Sequence, residues 1–282
     1  MNFATMYGSS WAGVTKRSVG PRENRSAEII EVTMAVQWVT GKVQKKHNWT
    51  AGLFTLCIDI DGVRPFEPGQ FLQLGVRLPD GRLINRPYSV ASPYGGPLEF
   101  YIVKVDGGEL TPILERLEVG GEIELSERAT GSFVLSKTPP AECLWLLATG
   151  TGLAPYIAML RTEVPWQNYR KIVLVHGARH FSELSYADEL KGYETRYPHQ
   201  FHYVPSTTRD PDAQCLKGRI STLLETGELE SELGLRISSE NSSVMLCGNP
   251  AMLDEVESIL GHRGMKKHRS KSPGHIVLER YW

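Results

Sequence analysis

Residues 143–155 read Cys143-Leu144-Trp145-Leu146-Leu147-Ala148-Thr149-Gly150-Thr151-Gly152-Leu153-Ala154-Pro155. Cys143–Ala148 is an unbroken apolar run with no polar face, the pattern of a strand covered on both sides. Gly150 and Gly152 then permit a tight turn and close approach of a ligand to backbone N–H groups. Pro155 suits the first turn of a helix, whose N-terminus attracts anions. Strand, glycine turn and helix in succession open a parallel α/β layer. Taken alone, such a turn is common in α/β proteins and compatible with a plain connection.

Downstream the alternation continues. Lys171–His176, Phe201–Pro205 and Val244–Cys247 read as strands. Glu183–Arg196, Ile220–Thr226 and Pro250–Leu260 read as helices. A sheet of this kind binds ligands beyond the carboxyl ends of its strands, where the strand order reverses. Upstream of Pro139-Pro140 the grammar is different. Six short β-rich runs, Val36–Lys45, Leu53–Ile60, Gln70–Val76, Leu83–Ala91, Leu98–Val105 and Glu122–Ser126, are separated by turns such as Asp61-Gly62, Pro79-Asp80-Gly81 and Gly120-Gly121. They predict a closed or nearly closed antiparallel barrel with no long unpaired edge, and one short helix over Leu110–Leu117. The expected organisation is an extension over residues 1–33, a barrel domain over 34–138 and an α/β domain over 139–282.

Composition excludes several classes. The chain has 282 residues, 41% hydrophobic and 22% charged, with a net charge of −1, which gives no general pull toward nucleic acid or membrane. No run approaches the ~20 apolar residues that cross a bilayer. Cys57, Cys143, Cys215 and Cys247 are scattered, without metal or disulfide spacing, so no metal site is expected and a reducing cytoplasm is. Residues 1–33 lack periodicity and the features of a signal peptide. Periodicity begins just after Met34, which reads as the natural start.

A second constellation, Arg86-Pro87-Tyr88-Ser89, falls within a barrel strand. Arginine can hold a diphosphate through paired hydrogen bonds, tyrosine offers a flat aromatic face, and serine can bond a ring nitrogen. A strand with these residues is ordinary in isolation. Beside a nucleotide-binding layer it is informative.

Four motifs occur in order: Arg86-Pro87-Tyr88-Ser89, the Gly150–Pro155 turn, Cys247-Gly248-Asn249-Pro250 and the final Tyr281-Trp282. Together they resemble the bacterial ferredoxin (flavodoxin)–NADP reductases that end in an aromatic pair. Trp38-Val39-Thr40-Gly41-Lys42-Val43 resembles the start of those enzymes. The resemblance covers residues 36–282. It implies a Greek-key barrel that binds FAD, followed by a five-stranded parallel α/β domain that binds NADP. It implies that Arg86 holds the FAD diphosphate, that Tyr88 packs on the flavin, and that Ser89 bonds near its reactive nitrogen with Pro87 between them. Tyr101, Glu109, Leu110, Thr111 and Thr151 are implied as further FAD contacts. Gly150, Gly152, Arg179, Thr208, Arg209, Arg219, Asn249 and Pro250 fall where the family holds NADP. Cys247 lies near the nicotinamide in this reading, with Tyr281 over the other flavin face and Trp282 on the adenine side. Ser89, Cys247 and Tyr281 are thus the expected catalytic group.

The chain departs from the family pattern in having Thr208 where serine is usual, and Pro87, which removes one backbone donor. Cys247 is equally readable as an ordinary buried thiol, His176 as a structural strand-end residue, and Arg219 as a solvated helix-start residue. Arg263, Lys266, Lys267, Arg269 and Lys271 form a basic stretch, ordinarily a solvated surface and here a candidate dock for an acidic ferredoxin or flavodoxin. A monomer is expected. An NAD(P)H-flavin reductase, an oxygenase reductase component and a non-catalytic subunit share the fold and are the alternative readings.

Overall fold

The computed structural model describes residues 36–281. The expected extension over residues 1–33, the start at Met34, and Trp282 lie outside them. Two six-stranded sheets make up the described chain, one antiparallel and one parallel.

The antiparallel sheet contains β1 (Trp38–Thr50), β2 (Leu53–Asp59), β3 (Phe71–Arg77), β4 (Leu83–Ser89), β5 (Leu98–Val103) and β6 (Glu122–Ser126), in the order β4-β3-β6-β1-β2-β5. Register shifts between Val43 and Lys45, and between Asn48 and Thr50, bend the long β1 around the barrel. Phe54, Leu56, Ile58, Leu72, Leu74, Phe100, Ile102 and Leu125 fill the interior. The edges β4 and β5 are joined just past β4, where the Ala91 N–H donates to the Glu99 carbonyl at 2.8 Å. The barrel is therefore nearly closed. Pro87 sits on edge strand β4, where its missing donor does not interrupt an interior ladder. Helix α1 (Thr111–Arg116) lies between β5 and β6.

The parallel sheet contains β7 (Cys143–Thr149), β8 (Lys171–Ala178), β9 (Phe201–Thr207), β10 (Leu216–Lys217), β11 (Ser242–Gly248) and β12 (Ile276–Arg280), in the order β10-β9-β8-β7-β11-β12. Five of these strands are five residues or longer, and the two-residue β10 is an edge addition to the expected five. Along β7, Leu144, Leu146 and Ala148 enter one core, while Cys143, Trp145 and Leu147 enter the other. That two-sided burial is why the run has no polar face. The sheet carries helices α2 (Ala154–Leu160), α3 (Val164–Asn168), α4 (Ala187–Arg196), α5 (Ile220–Glu225), α6 (Glu228–Leu233) and α7 (Pro250–His262). In α7, Met252, Leu253, Val256 and Leu260 form the buried stripe. The chain winds outward from β7 through β8 and β9, then returns to place β11 and β12 on the opposite side of β7. The order thus reverses between β7 and β11.

A dense seam joins the two sheets. Arg161, at the end of α2, bonds Glu189 of α4 through Nε at 2.8 Å and a second nitrogen at 2.9 Å. The same guanidinium reaches Glu99 of β5 at 2.9 Å and the Ala91 carbonyl at 3.1 Å. The Tyr101 hydroxyl donates to Ser185 at 2.9 Å, and the Thr55 and Tyr186 hydroxyls share a hydrogen bond of 2.8 Å. Tyr186 takes the left-handed conformation, φ 60°, which costs energy in a residue with a Cβ.

Removing Arg161 leaves two half-buried carboxylates facing each other without a cation. Arg161→Met is expected to destabilise the protein by about 1–3 kcal/mol, between the exposed and the fully buried limits for broken ion pairs. Urea unfolding of the two proteins measures this.

Candidate functional site

The carboxyl ends of β7 and β11, the reversal point of the sheet, carry two glycine turns in direct contact. Gly150 begins the 3₁₀ turn Gly150–Leu153 with φ +53°, and a side chain there would meet nothing within 4 Å, so its outer side is open. Gly152 is the opposite case: a Cβ would fall 2.5 Å from the Cys247 carbonyl oxygen. The two turns are also tied by Thr149, whose hydroxyl accepts the Asn249 N–H at 2.9 Å. The Asn249 side chain caps α7 by accepting the Ala251 N–H at 2.8 Å, and Pro250 occupies the first turn. The Asn-Pro pair therefore has a helix-start role of its own.

The barrel meets this point through β4. Ser89 is buried and donates its hydroxyl hydrogen to Glu279 Oε2 of β12 at 3.1 Å. Cys247 is fully buried, and burial pushes its thiol well above the ordinary range, so it is a neutral thiol. The Tyr281 side chain interacts with Ser89, Cys247 and Glu279, and its N–H donates to the Gly248 carbonyl at 3.4 Å. Ser89, Cys247 and Tyr281, drawn from distant parts of the sequence, are thus brought together. Glu279 completes the group and is the residue that sequence reasoning missed. The available signal was an acid closing the otherwise apolar run Ile276-Val277-Leu278 just before the terminal aromatics. Burial raises the Glu279 carboxyl to about 7, with the Ser89 hydrogen bond opposing the rise.

On the barrel side, Tyr88 is half-buried and burial lifts its hydroxyl to about 12. Arg86 is exposed, with its guanidinium on the Asn85 carbonyl at 2.7 Å and on Glu109 at 3.5 Å. Leu110 and Thr111 are buried, and the Thr111 hydroxyl closes its own loop by accepting the Val105 N–H at 2.9 Å. Thr151 is buried within the glycine turn. Tyr101 is placed differently from Tyr88. It lies in the seam, 2% exposed, with its hydroxyl committed to Ser185. The β5 pleat turns it away from the barrel interior and against Tyr186.

Arg179 and Arg209 follow the ends of β8 and β9. The Arg209 N–H bonds the Arg179 carbonyl at 2.9 Å, and the Thr208 N–H bonds the Ala178 carbonyl at 3.2 Å. Both arginines are exposed, and among the described residues neither makes an ion pair. Asp210 organises the loop around them by accepting from the His180 ring at 2.9 Å and from the Phe181 N–H. Arg219 starts α5 beside this end of the sheet, 3.9 Å from Glu255.

The basic stretch is not uniform. Arg263 is bound to Glu230 at 2.8 Å and the Leu224 carbonyl at 3.0 Å, and Lys267 lies 3.7 Å from Glu257. Lys266, Arg269 and Lys271 are exposed. Among the described residues no cluster of metal-ligating side chains exists, and no helix is long and apolar enough to cross a membrane.

Known proteins resemble this chain over most of its length. Residues 146–258 match the oxidoreductase NAD-binding domain. The flavodoxin/ferredoxin–NADP reductase of Escherichia coli (strain K12) is 43% identical over 247 residues, covering 87% of this chain and 99% of the relative. The ferredoxin–NADP reductase of Pseudomonas aeruginosa is 35% identical, covering 86% and 96%. A ferredoxin NADP+ reductase from Neisseria gonorrhoeae, solved with bound FAD and NADP, superposes with a TM-score of 0.82 at 30% identity, covering 87% of this chain and 99% of that one.

The raised Glu279 carboxyl has a thermodynamic consequence. The folded protein keeps a proton on Glu279 that the unfolded chain releases near 4.5. Stability therefore falls as pH rises from about 4.5 through about 7. Glu279→Gln is expected to remove this part of the slope, which denaturant unfolding across the same window measures.

Proposed function

The chain belongs to the flavodoxin/ferredoxin–NADP reductase family, and from that premise we propose that it exchanges electrons between NADP(H) and a ferredoxin or flavodoxin through a bound FAD. The observation that carries the proposal is the convergence of Ser89 from the barrel with Cys247, Glu279 and Tyr281 at the reversal point of the parallel sheet. The residues present fit a flavin: the half-buried ring of Tyr88 and the exposed guanidinium of Arg86 lie on β4 with Ser89, and the glycine turn has an open outer side. A bound FAD supplies two-electron exchange with NADP(H) and one-electron exchange with the carrier.

The side chains have separate tasks in this reading. Arg86 binds the FAD diphosphate, Leu110 and Thr111 support it through backbone, and Tyr88 orients the flavin ring. Glu109 lies against the Arg86 guanidinium and adjusts its position. Ser89 and Glu279 form a proton relay at the ring edge: a carboxyl raised to about 7 holds or yields a proton near neutral pH, and the Ser89 hydroxyl passes it. Tyr281 covers the flavin and moves aside for the nicotinamide, with Cys247 packed against it as a neutral thiol. The backbone of the Gly150–Gly152 turn receives the coenzyme diphosphate, with Asn249 and Pro250 alongside, and the Thr151 side chain reaches the flavin. Arg179, Thr208, Arg209 and Arg219 hold its adenosine phosphates. We assign residues 34–138 to the FAD domain and 139–282 to the NADP domain.

Lys266, Arg269 and Lys271 are the proposed docking charges. Lys267 pairs with Ile276, so this stretch lies about 16 Å of strand from Tyr281. An interface of ~800 Å² per partner is about 30 Å across and spans both. Reversing Lys266 and Arg269 is expected to slow carrier reduction and flatten its salt dependence while leaving ferricyanide reduction unchanged. An equal loss in both assays refutes the dock.

The decisive test is anaerobic. The purified protein should release FAD rather than FMN, lose flavin absorbance on addition of NADPH, and recover it with oxidised ferredoxin or flavodoxin. Activity confined to free flavin as acceptor supports the flavin-reductase alternative. Arg209→Ala is expected to weaken NADPH about tenfold and NADH hardly at all, since one charge-assisted bond is worth about 1.5–3 kcal/mol. Steady-state kinetics with both coenzymes measure this.

A further inference from the structure

His176 is a buried titratable side chain that neither the proton relay nor the phosphate-binding arginines use. His176 is fully buried in β8, beside Ala148 of β7 and Pro205 of β9. Its Nε2 lies 3.3 Å from the carbonyl oxygen of Gly150, the first residue of the glycine turn. A carbonyl only accepts, so Nε2 carries the proton and Nδ1 is the bare nitrogen. That Nδ1 is buried without a hydrogen-bond partner. An apolar side chain would fill the same space and leave no nitrogen unmet, so the bond to Gly150 is the distinctive contribution of the ring.

The consequence of that bond follows from peptide geometry. In a trans peptide the C=O and the next residue's N–H point in opposite directions, and no described peptide is cis. Drawing the Gly150 carbonyl toward His176 turns the Thr151 N–H the other way. Gly150 has φ +53°, and a Cβ there would meet nothing within 4 Å, so its backbone is free to adopt this orientation and its outer side is open.

We propose that His176 is a positioning residue, which donates from Nε2 to the Gly150 carbonyl and thereby aims the Thr151 N–H at the coenzyme diphosphate. The assignment rests on the reading of Gly150–Leu153 as part of the coenzyme site. The ring acts as a fixed neutral donor and exchanges no proton in turnover. Burial depresses its basicity to about 4, which keeps it neutral through the working range.

The test uses the full-length flavin-loaded protein, with His176→Leu removing the donor and His176→Gln retaining an amide N–H at the same reach. Dissociation of NADP+ is read from the perturbation of the flavin spectrum, with KM for NADPH, kcat, flavin content and thermal midpoint measured alongside. In His176→Leu, NADP+ affinity should fall about three- to tenfold, the worth of one hydrogen bond. KM should rise with kcat little changed, and flavin content should stay intact. His176→Gln should recover most of the affinity. Wild-type binding of NADP+ by His176→Leu, or an equal loss in both variants, overturns the positioning role. Failure of the wild-type protein itself to bind NADP+ overturns the coenzyme-site reading beneath it. Should His176→Leu not fold, ¹⁵N chemical shifts of the wild-type ring decide the matter. A proton on Nε2 from pH 5 to 8 supports the proposal, and a proton on Nδ1 or a titration within that range overturns it.

Discussion

The guanidinium of Arg161, held between Glu189 of the parallel layer and Glu99 of the barrel, is the contact on which the rest of the arrangement depends. The barrel interior and one face of the parallel sheet have cores of their own, a third core runs across both layers, and none of the three contains a complete site. Ser89 belongs to the barrel, while Glu279, Cys247 and Tyr281 belong to the parallel sheet. Their meeting requires a seam that fixes the two layers to within hydrogen-bond distance. Hydrophobic burial alone is non-directional. The bidentate and carbonyl contacts of Arg161, with the hydroxyl pairs of Tyr101 and Tyr186, supply the direction.

Charged groups divide accordingly. Arg161 and Arg263 are bound to carboxylates and backbone carbonyls and hold structure together. Arg179 and Arg209, joined through the backbone just past the ends of β8 and β9, are exposed and without carboxylate partners among the described residues. Glu279 also lacks a cationic partner among the described residues. Its carboxyl is buried against a single hydroxyl rather than a cation, which holds its proton near neutral pH. Burying Glu279 without a cation costs stability, and the ability to keep a proton is what stands in its place.

Much of the fold was legible from local pattern. The apolar run at Cys143–Ala148, the turn at Gly150–Gly152 and the alternation beyond it define the parallel layer, because a strand covered on both faces cannot carry a polar stripe. The six barrel strands were legible because each is bounded by residues that turn the chain. Strand β12 was harder, since Ile276–Arg280 is short and is separated from α7 by the irregular stretch 263–275. The two-residue β10 has no periodicity to read.

The sequence by itself determined the classes of the two layers, the glycine turn and the residues Arg86, Tyr88, Ser89, Arg179, Arg209 and Tyr281 as candidates. It determined these because turn chemistry, strand period and motif order are local properties. Only the tertiary structure decided that Glu279 faces Ser89 across 190 positions of chain, that Tyr101 serves the seam, that Arg263 is committed to Glu230, and that His176 reaches the Gly150 carbonyl. Which side chains meet depends on strand order and on the approach of two packed layers, and neither is encoded in the spacing of neighbouring residues.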